Sequence, residues 1–116
     1  MKPIEEYKAL VEITETVDYI DRQTIRSSNK GVAKMYQLVH SVAREGPDAI
    51  DELARLLDDP KAARWLAHQL VECTELPKAT EEKCFAIIEE LSKKDGPGGM
   101  GEKIWLKEWK PKKGRT

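Results

Sequence analysis

Two histidines, two cysteines and a pair of adjacent aspartates are the residues here whose types could carry chemistry, and their spacing limits what each can do. His40 has no metal-ligating residue three or four positions on, and His68 has only Glu72 at i+4. A zinc site needs three or four convergent ligands, so no metal and no other cofactor is expected. Cys73 and Cys84 lie eleven apart without C-x-x-C spacing, and neither has a basic neighbour at helical spacing to stabilise a thiolate. They read as small buried hydrophobes. Asp58-Asp59 precedes Pro60, the pattern of a helix cap, and has no neighbour that would split the two carboxyl groups into an acid and a base. The run Gly96-Pro97-Gly98-Gly99-Met100-Gly101 follows no strand, and Lys103 is not followed by Ser or Thr. A flexible connection is therefore expected there rather than a phosphate cradle. With no Ser-His-Asp arrangement and no dinucleotide fingerprint, the chain is expected not to be an enzyme.

Two groups of residues remain as candidates for binding. Glu45, Asp48, Asp51, Glu52, Asp58 and Asp59 place six acids in fifteen residues, opposed only by Arg55. Such an edge is either a solvated helix face or a surface that steers a basic partner by its field. At the other end, Trp105 and Trp109 interleave with Lys103, Lys107, Lys110, Lys112, Lys113 and Arg115. Aromatic rings between cations can stack on single-stranded bases and neutralise phosphates, which makes nucleic acid the alternative partner. Ile104, Trp105 and Trp109 also have the spacing of a helix face that docks onto a core.

The elements that must position these residues follow from composition and periodicity. The chain has 116 residues, 40% hydrophobic and 35% charged, and Leu, Ile, Val and Phe number 25, enough for one core in one domain. Its 20 basic and 21 acidic side chains exclude a globally basic nucleic-acid binder. The balance is local: residues 1–101 carry 14 basic against 19 acidic groups, and residues 102–116 carry six against Glu102 and Glu108. No apolar run approaches a signal core or a membrane span, so a cytoplasmic protein with reduced thiols and no membrane partner is expected.

Apolar residues recur every three to four positions between prolines at 3, 47, 60, 77, 97 and 111, which predicts an all-α chain of about six helices. The first runs from Pro3 to about Arg26, with Ile4, Tyr7, Leu10, Val11, Thr14, Val17 and Ile20 inward. Ser27-Ser28-Asn29 can accept from free amides, so the chain is expected to break and restart there. The second helix buries Val32, Met35, Tyr36, Val39, Val42 and Ala43, and Glu45-Gly46-Pro47 ends it. The third, 47–57, buries Ile50, Leu53, Ala54 and Leu57. The fourth, 60–73, buries Ala62, Ala63, Leu66, Ala67 and Leu70. The fifth starts near a Thr80 cap and buries Phe85, Ile87, Ile88 and Leu91 before ending about Lys94. A short sixth segment spans 101–109. The domain is expected to cover 1–110, with 111–116 a disordered basic tail.

The stretch from Leu53 through Leu56-Leu57-Asp58-Asp59-Pro60 to Arg64-Trp65-Leu66-Ala67 resembles the turn and second helix of a HEAT-type repeat. Arg64 stands one residue early, and Ala63 takes the place of a preferred valine. From Asn29-Lys30 to Trp105-Leu106-Lys107-Glu108-Trp109 the chain is similar to a bacterial family of small HEAT-like proteins classed as a domain of unknown function. The resemblance implies a helical-hairpin stack. It also implies binding rather than catalysis, because such families include toxin-immunity and other binding proteins. The expected function is a non-enzymatic module that binds a basic protein, concretely a toxin, through the acidic edge. Partner identity, oligomeric state and the exposure of Trp65 stay open at this stage.

Overall fold

The computed structural model describes residues 2–15, 22–94 and 96–113. Among them are six α-helices: α1 (Pro3–Glu15), α2 (Arg22–Glu45), α3 (Pro47–Ala54), α4 (Pro60–Cys73), α5 (Lys78–Ser92) and α6 (Pro97–Lys112). A single 3-10 turn, Arg55–Asp58, links α3 to α4, and no strand occurs among the described residues. The chain is all-α. Prolines 3, 47, 60 and 97 each open a helix, where the missing N–H costs nothing. Gly46 and Gly96, with φ of 119° and 93°, turn the chain into α3 and α6 through backbone that favours glycine.

Each helix packs most extensively on its neighbours in sequence, and α4 also reaches back to α2 and α1. The assembly measures 41 × 37 × 21 Å, about two helix diameters in its thin direction. Its core draws Tyr7, Leu10 and Val11 from α1, Met35, Val39 and Val42 from α2, and Leu66, Ala67, Leu70 and Val71 from α4. Ile50 and Leu53 of α3, Leu56 and Leu57 of the 3-10 turn, Phe85 and Ile88 of α5 and Leu106 of α6 also belong to it. Alanines 62, 63 and 67 keep the buried face of α4 narrow, so that its neighbours approach closely.

Four local expectations are corrected. Helical backbone runs unbroken through Ser27-Ser28-Asn29, which lie inside α2 instead of separating two helices. Cap preference is a weak local term, and it yields here to packing. Close by, Gly31 sits so near α1 that an added Cβ would stand 2.8 Å from Thr14 Oγ1. Residues 16–21, with the expected core positions Val17 and Ile20, lie outside the described residues. At α5 the cap is Pro77, whose carbonyl accepts from the Glu81 amide at 3.0 Å, and Thr80 falls within the first turn.

The third and fourth corrections concern α6. Gly98, Gly99 and Gly101 belong to the helix and do not form a flexible connection. A Cβ on Gly99 would lie 1.8 Å from the Lys94 carbonyl oxygen, so the first turn of α6 seats on the end of α5 only because that residue is glycine. The helix then continues to Lys112, where a disordered tail was expected, and the Lys113 amide closes it on the Trp109 and Lys110 carbonyls. Residues 114–116 lie outside the described residues.

One buried polar relay crosses the first half of the fold. The Tyr7 hydroxyl donates to Gln69 Oε1 at 2.5 Å, and Gln69 Nε2 donates to the Met35 sulfur at 3.5 Å. All three side chains are almost wholly buried. Burial pushes the Tyr7 phenol well above its ordinary range, with Tyr36 and Cys73 adding to the effect, so it remains a donor.

Three substitution experiments follow from this packing. Gly99→Ala should lower stability by about 1–3 kcal/mol in urea denaturation, because the obstructing atoms are main chain. Gly101→Ala, with nothing within 4 Å of its new Cβ, should raise it by about 0.5–1 kcal/mol. Tyr7→Phe strips the donor from a buried amide oxygen and should cost about 1–3 kcal/mol. An unchanged denaturation midpoint would remove the relay from the account of stability.

Candidate functional site

The acids expected to form one edge are divided by the fold. Glu45 ends α2 and Asp48, Asp51 and Glu52 lie on α3, all of them exposed. Glu45, Asp48 and Glu52 line a groove of about 360 Å³ between α3 and the start of α1, together with Pro3, Ile4, Ala49 and Leu53. Leu53 is buried and Ile4 and Ala49 half-buried, so three carboxylates surround an apolar floor. Asp51 shares α3 but does not line the groove. Asp58 and Asp59 are engaged elsewhere. Lys83 of α5 reaches Asp58 at 2.7 Å, and Asp59 Oδ1 accepts from the Lys61 amide at 3.0 Å as the cap of α4. The cap was legible from Asp-Pro alone, whereas the Lys83 pair spans 25 residues and was not.

The carboxy-terminal aromatics and cations are drawn inward. Trp105 and Trp109 stack at 5.8 Å with 19° between their planes, both half-buried against the core. Lys112 Nζ lies 4.6 Å from the centre of the Trp109 ring and 3.2 Å from Glu108. Lys110 pairs with Glu89 of α5, and Lys113 lies 3.8 Å from Glu75. Lys103 and Lys107 remain exposed on the outer face of α6. Ile104, expected on the docked face, is 62% exposed, and Leu106 takes the buried position instead. Arg115 is outside the described residues.

Sequence spacing missed the surroundings of His68. Its Nε2 lies 2.6 Å from Glu102 Oε2, and its ring meets Trp105 edge-on at 4.5 Å. Glu102 and Trp105 are three apart on α6, so one face of that helix supplies both contacts. Glu72, the carboxylate at i+4 from His68, instead accepts from the Tyr36 hydroxyl at 2.9 Å. Trp65, left open by periodicity, is half-buried beside the core. No group of three or more His, Cys, Asp or Glu able to hold a metal ion occurs among the described residues. No helix among them is long and apolar enough to cross a membrane.

Both cysteines are free. Burial pushes the Cys73 thiol up to about 11, helped by Glu72, and the more deeply buried Cys84 thiol up to about 12. A thiolate nucleophile is therefore suppressed at neutral pH.

No protein-family model, no curated protein and no solved structure matches the chain.

The thiols give a pH-dependent outcome. At pH 8 iodoacetamide should alkylate the folded chain at least about tenfold more slowly than the same chain in urea, since the thiolate is the reacting form. Because both groups titrate above the ordinary value of 9 when folded, their contribution to stability is complete below that pH. It is lost as pH rises toward 11 and 12. Equal alkylation rates in the two states would show that the thiols are not shielded.

Proposed function

We propose that this chain is a non-enzymatic helical binding module that receives a basic segment of another protein at the α3 edge. The observation that carries this reading is the groove in which Glu45, Asp48 and Glu52 surround Ile4, Ala49 and Leu53. A lysine or arginine suits it chemically, because the aliphatic stem can lie on the apolar floor while the charged end meets the carboxylates. Asp51, exposed on the same helix, adds to the field that draws such a partner in. The resemblance to small bacterial HEAT-like proteins supports the same reading. Its most concrete form is an immunity protein that covers the cationic active site of a toxin in a reducing cytoplasm.

Nucleic-acid binding at the carboxy terminus receives less support. Lys110, Lys112 and Lys113 already face Glu89, Glu108 and Glu75, and the stacked tryptophans are half withdrawn into the core. Base stacking needs an accessible ring face.

The decisive experiment compares wild-type chain with Glu45→Gln/Asp48→Asn/Glu52→Gln as bait in lysate, at two salt concentrations and with or without nuclease. A protein held stoichiometrically by wild type despite nuclease should bind the variant about 10- to 100-fold more weakly, with helicity unchanged by circular dichroism. Equal retention by both baits removes the α3 edge as the binding surface. Retention that vanishes with nuclease transfers the function to the tryptophan and lysine face of α6.

A further inference from the structure

Among the described residues three large hydrophobic side chains stand open to solvent, Ile13, Met100 and Ile104, and two of them lie one turn apart on α6. Trp105, Leu106 and Trp109 take the inner side of that helix, against the core. Met100, Ile104, Lys107 and Pro111, at i, i+4, i+7 and i+11, form a stripe of exposed residues down its outer side, about 16 Å long. Lys103 is exposed beside them.

The charge of this face does not depend on how its ion pairs are weighed. Four lysines and two glutamates lie on α6. Lys110, Lys112, Glu102 and Glu108 each have an ion-pair partner, and Lys103 and Lys107 have none among the described residues. Setting every paired group aside leaves those two lysines. Counting every charge on the helix at full weight leaves the same excess of two.

The α3 groove is the complement of this face. None of Glu45, Asp48 and Glu52 has an ion-pair partner among the described residues, and no base lines the groove with them. The exposed bases nearest in sequence, Lys2, Arg44 and Arg55, are matched in number by the exposed Glu5, Glu6 and Asp51, so the excess of three acids stands. Spacing agrees as well as sign. On α3, Asp48 and Glu52 are one turn apart, as are Ala49 and Leu53 of the apolar floor. On α6, Lys103 and Lys107 repeat at that spacing, as do Met100 and Ile104. All four pairs are i, i+4, about 6 Å along a helix axis. No residue of α6 lines the groove, so a chain does not fill it with its own helix.

We infer that the α3 groove receives the outer face of α6 from a second copy of this chain. Met100 and Ile104 lie against Ile4, Ala49 and Leu53, and Lys103 and Lys107 meet Glu45, Asp48 and Glu52. The inference rests on the groove of the proposed function and adds a control on it. A second copy competes with a foreign basic segment, so the groove is held back at high concentration and released on dilution. The two surfaces differ, so the contact joins helix to groove and not like to like. Its area is small, so the association is weak and reversible.

Sedimentation velocity on the full chain, from about 10 μM to about 1 mM and at low and high salt, tests this. The average mass should rise with concentration from the 13.2 kDa of one chain, and less so at high salt. Lys103→Glu/Lys107→Glu and, separately, Glu45→Gln/Asp48→Asn/Glu52→Gln should each weaken the association at least roughly tenfold. All five positions are exposed, and circular dichroism checks that both variants stay folded. An equimolar mixture of the two variants should associate again and stop at a dimer, because one supplies an intact groove and the other an intact helix. A wild-type chain monomeric throughout, association that either variant leaves unchanged, or a mixture that stays apart overturns the inference. So does a monomeric chain that sediments with vesicles of an anionic lipid and loses this on Lys103→Glu/Lys107→Glu, since the face would then belong to a membrane surface. That variant keeps the groove and should still retain the foreign basic partner. Failure of the groove reading therefore shows in partner capture, and failure of this inference shows in sedimentation of the chain alone.

Discussion

Tyr7, Gln69 and Met35 meet where α1, α4 and α2 converge, and the packing of the first half of the molecule depends on that meeting being correct. A buried amide without partners is costly, and this one has its oxygen met by a phenol and one of its hydrogens by a thioether. Aliphatic contacts alone would tolerate small slips between helices. A hydrogen bond of 2.5 Å within a closed environment does not, because a slip strands two polar groups at once. The relay therefore sets the rotation of α4 about its axis. That rotation decides which side of α4 faces α5.

The second half is held together differently. Phe85, Trp105 and Trp109 form a run of ring contacts from α5 into α6, and His68 of α4 joins it at the Trp105 edge. Around these rings, pairs such as Lys110 with Glu89 and His68 with Glu102 tie α6 to α5 and α4. These pairs are partly buried, and each alone contributes modestly to stability. Their larger consequence is for the surface. By matching particular acids and bases they determine which charges are left to meet a partner, and they leave the acids of α3 exposed.

Much of the helical plan was legible in the residues. Asp59-Pro60 marked the start of α4, and the inward positions Ala62, Ala63, Leu66, Ala67 and Leu70 are all buried. Gly46-Pro47 marked the turn into α3. Legibility ended where local preference and packing disagreed. Ser27-Ser28-Asn29 looks like a cap and Gly96–Gly101 like a linker, yet the first lies inside α2 and Pro97 to Gly101 open α6. In the second case Gly99 reflects a close approach to the Lys94 carbonyl rather than freedom of the chain. Leu56 was missed as a core residue because the α3 period gives way to a 3-10 turn, which brings Leu56 and Leu57 to the interior together.

The sequence by itself determined the secondary-structure class, most helix starts and the inward stripes, because those depend on interactions within three or four residues of the chain. It also determined that acids crowd near α3 and bases near the end, since that is composition. Only the tertiary structure decided what those charges do. Glu102 finds His68 across 34 residues and Asp58 finds Lys83 across 25, pairings that no spacing rule anticipates because they require α4, α5 and α6 to be placed first. For the same reason five of the six acids separate into a groove, an ion pair and a helix cap, with Asp51 exposed on α3, and Pro111 and Lys112 of the expected tail end a docked helix. Local periodicity specifies which face of a helix is apolar, while the partner of each charge is set by where packing leaves the helices.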